Sequence, residues 1–267
     1  MKTPDILKKI VKRKIEYLNK QKIEKPISIL KNSIDYIENP RGFIESLKKD
    51  IKDNKAGVIA ELKKASPSKG ILRENFDPIS IAQSFSKNGA SCLSVLTEED
   101  FFLGSNSNLI KAKQSCNIPV LRKDFIIDSY QILESKVIGA DCILLIVACL
   151  EKDKLHSLCR LAHELEMDVL IEVHDQEELD IALEVPNNFI GINNRNLNTF
   201  EVNLDTTLNL FSKIPKEYLV VTESGINSIN DVSKMRDNGI NSFLVGESLM
   251  SARNPGAKLH ELFFDEA

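Results

Sequence analysis

Five apolar runs in the chain end on side chains able to hold or move a proton. Glu61 and Lys63 close GVIAELK, Lys123 lies in PVLRKDF, and Glu172 lies in DVLIEV. Asn193 and Arg195 end FIGINNR, and Glu223 ends YLVVTE. In a β-strand alternate side chains share a face. Glu61 and Lys63 therefore share one with Ile59, Lys123 with Leu121 and Phe125, and Glu172 with Leu170. Asn193 and Arg195 share one with Gly191, and Glu223 with Val221. Lys64, Arg122 and Asp124 have the opposite parity. The competing arrangement turns the charged set outward, toward helices. If the set converges inward, the cost of burying unpaired charge demands mutual pairing or a charged ligand. Lysines beside carboxylates in a closed pocket take shifted pKa values and serve as acid or base. Glu172 is the base candidate and Lys123 the acid candidate. Two lysines also admit a Schiff base, which needs one of them neutral. Neighbouring carboxylates favour the charged form, so proton transfer is the expected chemistry.

A second signal comes from two glycine-bearing segments, ESGI (Glu223–Ile226) and VGESLM (Val245–Met250). Backbone amides at such strand ends can hold a phosphate, although an ordinary strand–helix turn has the same composition. No Walker-type loop is present, so a nucleoside triphosphate is not implied. The four histidines are scattered and form no cluster with Cys or carboxylates, so no metal is expected; His174 is expected behind Glu172 or at the surface.

The elements that must position these residues are eight short runs rich in Val, Ile and Leu. They are GVIAEL (57–62), CLSVLT (92–97), PVLRKDF (119–125), CILLIVA (142–148), DVLIEV (168–173), FIGINNR (189–195), YLVVTES (218–224) and SFLVGES (242–248). Such runs suit parallel strands buried on both faces. Their starts recur at the spacing one strand plus one helix requires. Helices are expected over 78–88, with Asp77 as the cap, and over 151–166, with Leu155, Leu158, Cys159 and Ala162 at helical spacing. NGAS, IGAD and NGIN repeat a glycine helix end before a strand. Eight such units predict a (β/α)8 TIM barrel, with the charged set at the C-terminal mouth where active sites of that fold lie. A doubly wound sheet shares the periodicity. Residues 1–50 precede the first strand. Stripes of Leu7, Ile10, Val11 and Leu18, and of Phe43, Ile44 and Leu47, make them an N-terminal helical extension packed on the barrel. The expected unit is one domain over 1–267.

Composition fits that reading. The 267 residues are 42% hydrophobic and 28% charged, with a net charge of −4. The mild acidity argues against a nucleic-acid surface, and the early basic run KKIVKRK reads as a solvated helix face. Five cysteines without a paired motif fit reduced thiols in the cytoplasm. No segment reaches membrane-span length, and MKTPDILKKI is not a secretory signal.

In order along the chain, AELKKASPSKG, TEEDFFLGS, LRKDFIID, LIEVHD, GINNRNL, TESGI and FLVGESLM occupy the strand ends. In these motifs, and in its opening ILKKIVKRK, the chain resembles the indole-3-glycerol phosphate synthases of tryptophan biosynthesis. The resemblance covers nearly the whole chain. It implies a cofactor-free ring closure of 1-(2-carboxyphenylamino)-1-deoxyribulose 5-phosphate, with loss of carbon dioxide and then water. It places catalytic roles on Glu61, Lys63, Lys123, Glu172, Asn193, Glu223 and Ser224. It places substrate binding on Ser66, Phe125, Arg195, Leu197, Gly225, Gly246 and Glu247, with Phe102 a further candidate beside the aromatic ring. Glu61 and Arg195 are expected to hold the lysines. The backbone N–H groups of Gly225, Gly246 and Glu247 are expected on the phosphate. Two positions depart from the family pattern: Glu247 stands where serine is common and Asn196 where aspartate is common. Strand parity leaves the Glu247 side chain free to point inward. The loop after Lys63, out to Pro78, is expected to act as a lid. A monofunctional monomer is expected, with a phosphorylated small molecule as partner and neither nucleic acid nor membrane.

Overall fold

The computed structural model describes residues 4–265; residues 1–3 and 266–267, the two ends of the expected unit, lie outside them. Eight parallel strands close into a barrel: β1 (Gly57–Leu62), β2 (Cys92–Leu96), β3 (Val120–Lys123), β4 (Cys142–Ile146), β5 (Asp168–Val173), β6 (Phe189–Asn193), β7 (Leu219–Glu223) and β8 (Ser242–Val245). β1 pairs with β2 on one side and with β8 on the other, Ile59 lying opposite both Cys92 and Leu244. A doubly wound sheet would leave those two edges open, so this pairing makes the fold a (β/α)8 TIM barrel.

Three helices precede β1: α1 (Asp5–Glu24), α2 (Ile27–Ile34) and α3 (Phe43–Lys52). The connections between strands carry α4 (Pro78–Lys87), α5 (Asn106–Ser115), α6 (Ser129–Val137), α7 (Lys152–Glu164), α8 (Gln176–Leu183), α9 (Asp205–Phe211) and α10 (Ile229–Asp237). α11 (Glu247–Met250) and α12 (Pro255–Phe263) follow β8. Local chemistry explains the boundaries. The Asp77 side chain accepts from the backbone N–H of Ile79 and Ser80, and Pro78 takes the first helical position, where its missing N–H costs nothing. The repeated helix ends noted in the sequence place Gly89, Gly139 and Gly239 at φ +99°, +86° and +85°, a conformation that disfavours side chains. No helix among the described residues is long and apolar enough to cross a membrane.

The core has two layers. Outward-facing strand residues such as Val58, Val95, Ile143 and Ile171 pack beneath the helices. Inward-facing Ile59, Leu121, Leu144, Leu170, Val221 and Leu244 fill the barrel. The N-terminal extension covers both ends of that interior. Phe43 and Leu47 of α3 are fully buried at the N-terminal end, where the Phe43 and Phe189 ring centroids lie 6.1 Å apart. Leu7 and Ile10 of α1 reach the opposite end and line the mouth.

Four local readings are corrected by the structure. Strand β3 ends at Lys123, β6 at Asn193 and β8 at Val245, so strand parity does not extend to Arg195 or Glu247. Arg195 instead forms an isolated antiparallel bridge with Val202, and Glu247 opens α11. The basic run on α1 is not wholly solvated: Lys14 shares the buried stripe of Leu7, Ile10 and Leu18, while Val11 is only half-buried. The segment after Lys63 carries a short antiparallel hairpin, Ala65–Ser66 against Gly70–Ile71.

Candidate active site

A cavity of about 490 Å³ opens at the C-terminal end of the barrel. Every residue singled out above as catalytic or substrate-binding lines it, as does Phe102. Lys64 does not; its carbonyl receives the N–H of Leu72 at 2.8 Å. Arg122 follows its outward parity into a buried network, joined by Asp124, which lies just past β3 at the edge of the cavity. Arg122 Nη2 donates to Glu134 Oε2 at 2.7 Å, and Asp124 Oδ2 accepts from Thr97 Oγ1 at 2.6 Å. Lys14 Nζ completes it, 2.7 Å from Asp124 Oδ1.

Lys123 is the centre of the site. Its Nζ donates to Glu172 Oε2 at 2.7 Å and to Glu223 Oε2 at 2.9 Å. The barrel register places Asn193 of β6 opposite Glu223 of β7, and the side chains of four strands meet here. Glu172 Oε1 accepts from Asn193 Nδ2 at 3.2 Å and faces His174 Nε2 at 3.3 Å. A separate pair stands on β1, where Lys63 Nζ donates to Glu61 Oε2 at 2.5 Å. Two glycines make room for these carboxylates. A Cβ on Gly191 would lie 2.2 Å from Glu223 Oε1, and one on Gly246 2.4 Å from Glu61 Oε2.

The electrostatics follow from one lysine shared by two acids. Burial works against the Lys123 ammonium, but Glu172, Glu223 and Glu61 outweigh it and hold its pKa above the ordinary lysine value. Burial pushes Glu172 up, yet Lys123 and His174 hold it well below the usual carboxylate range. Glu223 takes the deficit. Burial and the nearby Glu172 charge push it up to about 8 against the pull of Lys123. Its Oε1 has no hydrogen-bond partner among the described residues. At neutral pH the site therefore holds an ammonium and an ionised carboxylate in contact, the protonation states from which an acid and a base must start.

The cavity wall beyond this cluster divides in two. On one side Phe102 and Phe125, ring centroids 6.0 Å apart, stand with Leu197 as an apolar face. On the other are the turns after β7 and β8, contributing Ser224, Gly225, Gly246 and Glu247. Ser224 and Gly225 have φ of +65° and +94°. A Cβ on Gly225 would lie 2.7 Å from Val202, so the tight turn needs glycine there. Asn194 holds the turn from below, its Nδ2 donating to the carbonyls of Glu223 and Ser224 at 3.0 Å each. The Ser66 hydroxyl sits 3.5 Å from that of Ser68 in the loop over the cavity.

Arg195 departs from the sequence expectation. It holds no lysine: Nη2 donates to Glu247 Oε2 at 2.9 Å and Nη1 to the Phe200 carbonyl at 3.1 Å. Lys69 Nζ lies 3.7 Å from Glu247 Oε1. The Glu247 carboxylate is thus flanked by two cations, which offsets the charge expected to repel an anion at that turn. Sequence reasoning also missed Leu7, Ile10 and Asn194. The α1 stripe was visible, but nothing in its spacing says which end of a barrel it covers.

Comparison with known proteins points to one family. The sequence profile of the family described as indole-3-glycerol phosphate synthase matches residues 7–262. The chain is 54% identical over 259 residues to the indole-3-glycerol phosphate synthase of Polaromonas naphthalenivorans, covering 97% of this chain and 98% of that one. It is 59% identical over 232 residues to the enzyme of that name from Polynucleobacter asymbioticus, covering 87% of each. Among solved structures, tryptophan synthase subunit alpha from Legionella pneumophila superposes with a TM-score of 0.63 at 12% identity, covering 84% of this chain and 97% of that one; this likeness speaks to the barrel alone. From its motifs, its barrel and its relatives, the chain belongs to the indole-3-glycerol phosphate synthase family.

Proposed function

We propose that the protein closes the pyrrole ring of 1-(2-carboxyphenylamino)-1-deoxyribulose 5-phosphate, giving indole-3-glycerol phosphate, carbon dioxide and water. The observation that carries the residue roles is the Lys123 ammonium held between Glu172 and Glu223 inside a cavity with one apolar and one glycine-turn wall. The substrate has the matching parts: an aromatic ring, a reactive carbonyl and a phosphate.

The aromatic ring packs against Phe102, Phe125 and Leu197, and the phosphate takes backbone N–H groups at Gly225, Gly246 and Glu247. Arg195 and Lys69 keep the Glu247 carboxylate occupied. Lys63, aligned by Glu61, offers its charge to the substrate's carboxylate or phosphate, with Ser66 closing the site above. The ring carbon bearing the carboxylate attacks the C2 carbonyl. Lys123 donates a proton to the carbonyl oxygen as charge develops there. Loss of carbon dioxide restores the aromatic ring. In the dehydration the hydroxyl, positioned by Asn193, takes a proton from a cavity lysine and leaves as water, while Glu172 accepts the proton released from the substrate. Glu223 and Ser224 complete the wall and fix Lys123. A Schiff base on Lys123 is disfavoured because imine formation starts from a neutral amine, and the acidic groups around this one hold it charged.

The same reading makes the chain one folding unit that works as a cytoplasmic monomer on a phosphorylated small molecule, without nucleic acid, membrane or cofactor. Adding the carboxyphenylamino-deoxyribulose phosphate to the purified protein and following indole fluorescence tests the activity. A growing indole signal is expected; folded protein that gives no product contradicts the proposal.

A further inference from the structure

His174 is the first residue beyond β5, and the reaction as drawn above does not use it. Its ring does not line the substrate cavity. It borders an adjoining groove floored by α8 and the turn after β4. Two carboxylates bracket the ring. Nδ1 lies 2.9 Å from Glu178 Oε2, and Nε2 lies 3.3 Å from Glu172 Oε1. The His174 backbone N–H donates to the same Glu178 oxygen at 2.8 Å. Glu178 is itself fixed: it is buried in the first turn of α8, where its N–H donates to the capping Asp175 Oδ1 at 2.9 Å.

A neutral imidazole has one N–H and one lone pair. Nδ1 is within hydrogen-bond distance of Glu178, whereas Nε2 makes no aligned hydrogen bond and meets Glu172 as an ion-pair contact. Only the imidazolium places positive charge beside both carboxylates. We infer that His174, as a cation clamped between Glu178 and Glu172, is a positioning residue that keeps Glu172 ionised and aimed at Lys123. The inference rests on the reading of Glu172 as the base.

Charge balance supports it. With Glu223 protonated, Lys123 and His174 supply two positive charges against the negative charges of Glu172 and Glu178. The other groups around the ring are consistent with this state. Asp175 caps α8 below it, Asn193 and Lys123 reach it only through Glu172, and Glu223 lies beyond Lys123. Cys149, on the turn after β4, has a thiol pushed up to about 12 by burial and by Glu172 and Glu178, so it stays neutral. The rim of the groove carries Lys8, Lys152 and Arg195 together with Glu151, Glu177 and Glu201, a mixed set. Burial lowers the ring's own pKa, but the two carboxylates outweigh it and raise it to about 10.

Two measurements test the inference. In the wild-type protein the ring resonances of His174 are followed by NMR from pH 5 to 9, assigned with variants of His156, His163 and His260. The ring is expected to remain doubly protonated throughout; a midpoint near the ordinary value of about 6.5 would overturn the inference. This readout needs no turnover, so it stands even if the protein makes no indole. The second is the pH profile of kcat for His174→Gln. Removing a cation beside Glu172 raises the pKa of that acid, so the acidic limb moves to higher pH by about one unit, with KM little changed. A limb that stays in place while the melting temperature falls would mean a purely structural histidine, and the inference would fail.

Discussion

At the scale of single residues, function here depends on which way a strand points its last side chains. Lys63, the residue just past the end of β1, keeps the direction of Glu61 and meets it in the cavity, while Lys64 stays off it. The two neighbouring lysines carry the same charge and differ in direction. Lys63→Ala is expected to lower kcat/KM at least about a hundredfold, the scale of losing a charged catalytic group. Lys64→Ala is expected to change it by less than about threefold, within the range of a surface substitution. Steady-state kinetics on the two variants decides the point, and equal losses would break the link between parity and role. Parity was legible in the sequence for Lys123, Glu172, Asn193 and Glu223 because each lies within a strand. Arg195 and Glu247 also line the cavity, but not through strand parity: the strand has already ended and the chain geometry is set by a bridge to Val202 and by a helix start.

The elements show a similar division. All eight strands were readable from their Val, Ile and Leu runs, since parallel strands buried on both faces are apolar along their length. Their ends were overrun by one to three residues where β-type sequence continues into a turn, as at Phe125 and Ser248. The extension was readable as helices but not as a cover for both ends of the barrel. That arrangement depends on long-range contacts that local spacing does not encode. The Lys14–Asp124 pair is the clearest case. It ties α1 to the residue beside Lys123, and both side chains are nearly inaccessible, at 5% and 1% exposed. Burial works against Asp124, but Lys14 and Arg122 hold its pKa down to about 2. Taking away one partner of a buried pair leaves uncompensated charge. Lys14→Met is therefore expected to destabilise the fold by about 3 kcal/mol, read from the urea midpoint. An unchanged midpoint would show that α1 is not anchored through this pair.

For the whole molecule, closure of the barrel is what turns scattered strand ends into one site. Periodicity alone left a doubly wound sheet open, because nothing local records that β1 pairs with β8. The pairing in the structure resolves it, with Ile59 opposite both Cys92 and Leu244. The same closure brings Lys123, Glu172 and Glu223 from three strands into contact, with Gly191 leaving room for the Glu223 carboxylate and Gly246 for that of Glu61. What remained hidden was charge bookkeeping within the cluster. The sharing of one lysine by two acids, and the histidine that balances them, emerges only from distances. The central claim is that this shared lysine is the acid of the ring closure. It is tested most directly by kcat of Lys123→Met on the carboxyphenylamino-deoxyribulose phosphate, measured beside the wild type with folding verified by circular dichroism. The account predicts a loss of about 10²- to 10⁴-fold in a folded protein; a folded Lys123→Met variant with wild-type kcat would contradict it.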